Sequence, residues 1–281
     1  MAKITVKQLV DEYYKSSDYS MLAYKTKVDY SNCLDIMLNT KLNKHSICTT
    51  KVDKLTGAIA RQSYELWLKR GISMANHIVS SSRKVYSFGM EMGYVEYNPF
   101  STFKCKTNKP RKVVWTREQI KKLLDFCYSD FRYRSIGLIV QMSYEWCQRV
   151  GDMRLLKFES IDFNNGVLNL EQSKRGASVS LPISEDLFEM LQEQKRDYDF
   201  QEYVAPVPKA IRSSYNPYTL HRLSIVARQA IRLCGLPNEL RIADLRRTGT
   251  TEMVEAGVSM GQIMSVTGHA NPQSVKPYMK N

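Results

Sequence analysis

Residues 263–278 read Ile263-Met264-Ser265-Val266-Thr267-Gly268-His269-Ala270-Asn271-Pro272-Gln273-Ser274-Val275-Lys276-Pro277-Tyr278. Apolar residues at helical spacing predict a short helix ending at Gly268, with His269 directly after it. Asn271-Pro272 has the form of an N-cap followed by proline at the first helical position. Pro277 stops any helix one residue before Tyr278 and pushes Lys276 away from helical angles. Tyr278 is therefore expected on a short, loosely held segment. A histidine after a helix and a tyrosine near a C-terminus are, each alone, more often packing residues than chemistry. Their partners upstream decide the reading.

Three upstream segments carry residues suited to an anionic substrate. Arg149-Val150-Gly151-Asp152 follows an apolar run and puts an arginine beside an acid at a helix start, a place suited to anions. Lys174 sits at the tip of a predicted hairpin, VLNLEQ and ASVSLPI flanking Ser173-Lys174-Arg175-Gly176. Asp244-Leu245-Arg246-Arg247-Thr248 opens another helix, in which Arg246 and Arg247 cannot share one face. The arginine beside the acid is the better planar, bidentate phosphate clamp. Each signal has a bland counterpart: a surface ion pair, a solvated turn, a solvated helix start.

The order Arg149, Lys174, Arg246, His269, Tyr278 changes those odds, because it resembles the catalytic domain of tyrosine recombinases, the phage integrase family. In that family the histidine of a Gly-His pair lies nine residues before the nucleophile, as His269 and Tyr278 do here. The resemblance covers nearly the whole chain. It implies a helical core-binding, DNA-binding domain over 1–103, ending in Asn98-Pro99-Phe100, a basic linker over 104–114, and a mixed α+β catalytic domain over 115–281. The expected fold class is mainly α with a small β-sheet.

The implied chemistry is site-specific recombination: a tyrosine oxygen attacks the scissile phosphate, a 3′-phosphotyrosine forms and a 5′ hydroxyl leaves. The resemblance gives Tyr278 the nucleophile's role and Arg149 and Arg246 the non-bridging oxygens. His269 adds a hydrogen bond to the same phosphate, Lys174 protonates the leaving oxygen, Asp152 orients Arg149 and Asp244 is the supporting acid. No metal and no cofactor are implied, and the sequence carries no GxxxxGK[ST] loop. The implied partners are double-stranded DNA, a homotetramer assembled on it, and accessory DNA-bending proteins.

Two departures from the family bear on activity. Ala243 stands where relatives commonly have a histidine that accepts the tyrosine's proton. Losing a general base costs about 10²–10⁴ in rate. In addition, many relatives continue past the tyrosine into a helix that docks on a neighbouring subunit, whereas only Met279, Lys280 and Asn281 follow here. Two alternatives follow: a catalytically impaired DNA-binding relative acting as a regulatory factor, and a nickase resembling type IB topoisomerases.

Composition agrees with a DNA partner without requiring one. The chain has 281 residues and a formal net charge of +13, a balance that favours polyanions. Residues 1–110 hold 17 Lys/Arg against 9 Asp/Glu and residues 111–281 hold 24 against 19, so both halves are basic. The six cysteines are scattered without a CxxC pair, as expected of reduced thiols. No apolar run approaches the ~20 residues of a membrane span and no signal segment opens the chain, so a cytoplasmic protein is expected.

Periodicity and caps predict the remaining elements. Helices are expected from Thr5, with Leu9, Val10, Tyr13 and Tyr14 on one face, then over about 22–38, 54–68 and 73–92. After Lys104–Lys112 comes a capping box, Thr116 with Gln119, and helices over about 133–146, 184–197, 219–234, 243–256 and 260–267.

Overall fold

The computed structural model describes residues 4–42, 45–171, 178–209 and 214–278. It divides into two compact units, Met1–Arg111 and Lys112–Asn281, each with its own hydrophobic core.

In the first unit, helices α1 (Val6–Lys15), α2 (Ser17–Ser20), α3 (Tyr24–Leu38), α4 (Gly57–Trp67) and α5 (Ile72–Glu91) surround one core. Thr5 caps α1 through the reciprocal bonds of a capping box with Gln8. The apolar face of α1 is fully buried at Leu9, Val10 and Tyr13, as its spacing predicts, while Tyr14, expected on the same face, is half-buried. A two-stranded antiparallel pair, β1 (Lys41–Leu42) and β2 (His45–Ser46), was not legible in the sequence, since two-residue strands carry no alternation to read. The stretch expected to be a linker begins with fixed contacts. The Lys106 amide donates to the Tyr64 hydroxyl, Asn76 donates to the Lys106 carbonyl, and the Arg61 guanidinium lies 4.1 Å from the Phe103 ring centre.

In the second unit, α6 (Arg117–Ser129) starts at the Thr116–Gln119 capping box. It packs on α7 (Phe131–Glu145), which is buried continuously from Tyr133 to Ser143 and forms the centre of the core. The short helix α8 (Val150–Met153) follows. A three-stranded antiparallel sheet is ordered β3 (Ile161–Asp162), β4 (Val167–Glu171), β5 (Ser178–Pro182). The β4–β5 register runs from Val167 opposite Pro182 to Glu171 opposite Ser178, so the two predicted strands pair and gain β3 at the edge, while the predicted turn over 173–176 lies outside the described residues. Leu168, Val179 and Leu181 bury one face of this sheet in the core. Helices α9 (Glu185–Tyr198), α10 (Leu220–Leu233), α11 (Leu245–Glu255) and α12 (Met260–Thr267) complete the unit. The architecture is mainly α with a small sheet.

One contact fixes where α11 lies. A Cβ added to Gly249 would stand 2.5 Å from the Tyr144 carbonyl oxygen and 2.6 Å from the Cys147 sulfur. Only a residue without a side chain lets α11 lie directly against the end of α7. From the other side, the Trp115 amide donates to the Thr248 hydroxyl and its indole N–H to the Arg241 carbonyl. Helix α11 is thus clamped between the end of α7 and Trp115.

Two glycine variants test this constraint. Gly249→Ala overpacks the contact and should cost about 1–3 kcal/mol, read as a lower urea midpoint. Gly261→Ala, inside α12 where an added Cβ meets nothing within 4 Å, should raise stability by about 0.4–1 kcal/mol. Equal midpoints for the two variants would remove Gly249 as a spacer.

Candidate functional site

The clamp on α11 brings the predicted arginines together. Arg149 occupies the N-cap position of α8, just past the end of α7, and Arg246 lies in the first turn of α11. The chain reaches Arg149 through Cys147, whose φ of 50° makes it the one non-glycine residue in the left-handed region among those described. That conformation costs an L-residue about 1 kcal/mol. Burial pushes the Cys147 thiol up to about 11, against the pull of a Thr250 hydrogen bond and the Arg246 charge, so it stays protonated and packs. Arg149 Nη1 lies 3.7 Å from the carboxylate of the buried Asp152.

Arg246 is 8% exposed. Burial, and next the Arg149 charge, pull it down to about 10, which leaves it charged at neutral pH. Both hydrogens of its Nη2 are used: one goes to the Thr267 carbonyl at 2.8 Å, the other to His269 Nε2 at 3.0 Å. Its Nη1 is buried and has no hydrogen-bond partner among the described residues. A buried cationic donor left open is costly. It is also what an anion-binding site requires.

His269 is held in one orientation. Gly268 ends α12 with φ 66°, the left-handed cap that turns the chain so that the next residue enters the site. The Thr267 hydroxyl lies 2.6 Å from the Ile263 carbonyl and 2.7 Å from His269 Nδ1. A carbonyl only accepts, so the single hydroxyl hydrogen points to Ile263, and Thr267 must accept from Nδ1–H. The Nε2 lone pair then faces the Arg246 donor. The two bonds agree on one neutral tautomer, Nδ1–H, and His269 acts as the acceptor that holds the Arg246 fork.

Tyr278 closes the constellation. Asn271 caps a 3₁₀ turn with Pro272 at its start, and a second 3₁₀ turn covers Lys276–Tyr278. The fully buried Val275 anchors this segment, and its carbonyl accepts from the Tyr278 amide at 2.9 Å. The half-buried Tyr278 ring lies 6.3 Å from the His269 ring and 5.0 Å from the Arg247 guanidinium.

Of the predicted site residues, Arg149, Asp152, Arg246, His269 and Tyr278 converge. Lys174 lies in 172–177, outside the described residues. Asp244 is buried beside the start of α11. Ala243 is exposed and lines a different cavity of about 250 Å³, against α10. Two positioning side chains escaped the sequence reading. Thr267 sets the histidine. Gln148, fully buried, donates to the Trp146 and Val266 carbonyls at 2.8 and 2.7 Å, tying the Arg149 turn to α12. No periodicity flags either, because each acts through a backbone carbonyl distant in sequence or through the next turn.

Comparisons with known proteins bear on the family and the fold. The family model described as "Phage integrase family" matches residues 114–281. A tyrosine recombinase of Pseudothermotoga lettingae is 20% identical over 271 residues, covering 94% of this chain and 87% of the relative. Tyrosine recombinase XerA of Pyrococcus furiosus is 26% identical over 168 residues, covering 59% of this chain and 56% of the relative. Among solved structures, a lambda integrase dimer bound to a COC′ core site superposes with a TM-score of 0.78 at 19% identity, covering 99% of this chain and 77% of that one. A lambda integrase tetramer bound to a Holliday junction gives 0.80 at 18% identity, covering 99% and 78%.

The tautomer of His269 is directly measurable. In ¹⁵N-correlated imidazole spectra at neutral pH, His269 should show a protonated Nδ1 and an unprotonated Nε2, and Thr267→Val should release that preference. A protonated Nε2 in the unsubstituted protein would contradict the assigned direction of the hydrogen bonds.

Proposed function

Because the chain belongs to the phage integrase family, it is a tyrosine site-specific recombinase that breaks and rejoins DNA through a 3′-phosphotyrosine, and we propose that Tyr278, Arg149, Arg246, His269 and Lys174 carry the reaction. In the cleavage step the Tyr278 oxygen forms a bond to the scissile phosphorus, and the bond from phosphorus to the 5′ oxygen breaks. The tyrosine releases its proton, and the leaving oxygen takes one from the Lys174 ammonium. Rejoining reverses the exchange with a 5′ hydroxyl from the partner strand, so the phosphate stays a diester throughout.

The observation that carries this assignment is the open Nη1 of Arg246. A buried guanidinium whose Nη2 is already bonded offers its remaining side as a fixed donor to a non-bridging oxygen. Arg149, near enough to depress Arg246, supplies a second cation, and Asp152 holds Arg149 in place. A phosphate between the two like charges relieves their repulsion. His269 supports the clamp in two ways. Its resting Nε2 steers Arg246, and once protonated the same nitrogen donates to the phosphate. Ala243 supplies no proton acceptor, so the Tyr278 proton passes to water or to a substrate oxygen in this reading, which predicts a slow enzyme.

The wider reading is a chain that binds double-stranded DNA with both basic units, residues 1–103 serving as the core-binding domain and the polar, basic 104–114 as the linker. It acts in the host cytoplasm as a homotetramer, with accessory DNA-bending proteins shaping the site. The lambda integrase tetramer on a Holliday junction supports the assembly.

A nicked suicide substrate carrying the chain's own crossover site tests the assignment. The unsubstituted protein should form a covalent protein–DNA adduct, Tyr278→Phe none, and Arg246→Ala should slow adduct formation about 10²–10³-fold, the usual effect of removing one oxyanion donor. An adduct formed by Tyr278→Phe would remove Tyr278 from the mechanism.

A further inference from the structure

The site contains a third arginine that the reaction as described does not use. Arg247 follows Arg246 on α11, and successive helical residues point about 100° apart. The two side chains therefore leave the helix in different directions: Arg246 enters the buried clamp, and Arg247 reaches the nucleophile. Its guanidinium carbon is 5.0 Å from the Tyr278 ring centre, inside the range of a cation–π contact. Arg247 is half-buried, and it makes no hydrogen bond or ion pair to another described residue. A half-buried cation normally finds a carboxylate. This one has an aromatic face.

Besides Arg247, the ring has the His269 ring 6.3 Å away. Pro277 precedes Tyr278, the segment is a single 3₁₀ turn, and its anchor, Val275, lies three residues away. An anchored backbone leaves the ring free to rotate about its side-chain bonds, and attack on phosphorus requires one orientation. A planar cation against one face restricts that rotation. The contact also strengthens during the reaction. As the tyrosine gives up its proton, negative charge develops on the ring's oxygen and spreads into the ring, so the attraction of Arg247 is greater at the transition state than at rest. Only interactions of that kind raise the rate of a bound complex.

We propose that Arg247 is a positioning residue for the nucleophile: it docks the Tyr278 ring for in-line attack without touching the scissile phosphate. This rests on Tyr278 being the nucleophile.

The alternative use for an arginine here is a contact to the DNA backbone, and the two uses separate experimentally. Single-turnover adduct formation on the suicide substrate is measured at saturating DNA, alongside the dissociation constant, its salt dependence and the urea midpoint, for the unsubstituted protein, Arg247→Lys and Arg247→Met. The proposal expects Arg247→Met to lose about tenfold in the saturating rate, the kinetic equivalent of one cation–π contact. Its affinity, salt slope and midpoint should be unchanged, and Arg247→Lys should recover most of the rate. A structural role would lower the midpoint and would not be rescued by lysine. If Arg247→Met instead weakens binding and reduces the salt slope by about one, at an unchanged saturating rate, Arg247 is a phosphate contact and the proposal is overturned. An unchanged rate with unchanged affinity overturns it equally. Failure of the unsubstituted protein to form any adduct strikes the recombinase assignment itself and is seen in the same gel.

Discussion

The approach of α11 to the end of α7 at Gly249 is the constraint on which the site depends. The helix carrying Arg246 can lie against the turn carrying Arg149 only because position 249 has no side chain to meet the Tyr144 carbonyl and the Cys147 sulfur. Everything that follows in the site inherits this spacing. Arg149 and Arg246 come close enough to perturb one another. Gln148 reaches from the same turn to the Val266 carbonyl, which sets α12 against both. With α12 in place, Thr267 and His269 meet the Arg246 fork. A shift of α11 by the width of a methyl group would loosen each of these bonds in turn.

The arginines of the second unit show how burial and pairing separate structure from function. Arg134 is as buried as Arg246, at 5% against 8% exposure. Its guanidinium bonds both Glu193 and Asp197 and lies 4.6 Å from the Phe131 ring centre. It is a neutralised strut between α7 and α9. Arg246 has a neutral imidazole and a carbonyl on one nitrogen and an open donor on the other. Keeping a cation buried in that state costs free energy that the fold must supply. Such expense is characteristic of sites that bind an anion. Cys147, held in the left-handed region to start the Arg149 turn, adds local strain at the same place.

Much of the fold was legible because its signals are local. Thr5 with Gln8 and Thr116 with Gln119 form capping boxes where the sequence placed them, and the apolar spacing of Leu9, Val10 and Tyr13 gave a buried face. The pairing of β4 with β5 followed from the alternation in each strand. The elements that escaped, α2, β1, β2 and β3, are two to four residues long, too short for any pattern to repeat. Helix starts moved by a few residues where a 3₁₀ turn precedes the helix, as at Val52–Lys54 before α4 and Ile242–Asp244 before α11.

The residues of the site were named by the sequence through the order and spacing of a family pattern, nine residues from His269 to Tyr278 being the tightest part. The sequence by itself determined which side chains are present: the permanent charges, the phenol, and alanine in place of a histidine at 243. Only the tertiary structure decided how they are used. The direction of the His269 hydrogen bonds depends on the Ile263 carbonyl one turn back, the open side of Arg246 on which of its nitrogens Thr267 and His269 occupy, and the pairing of Arg247 with the Tyr278 ring on two elements more than 25 residues apart. Such pairings are set by packing between segments, which helical and strand periodicity does not encode.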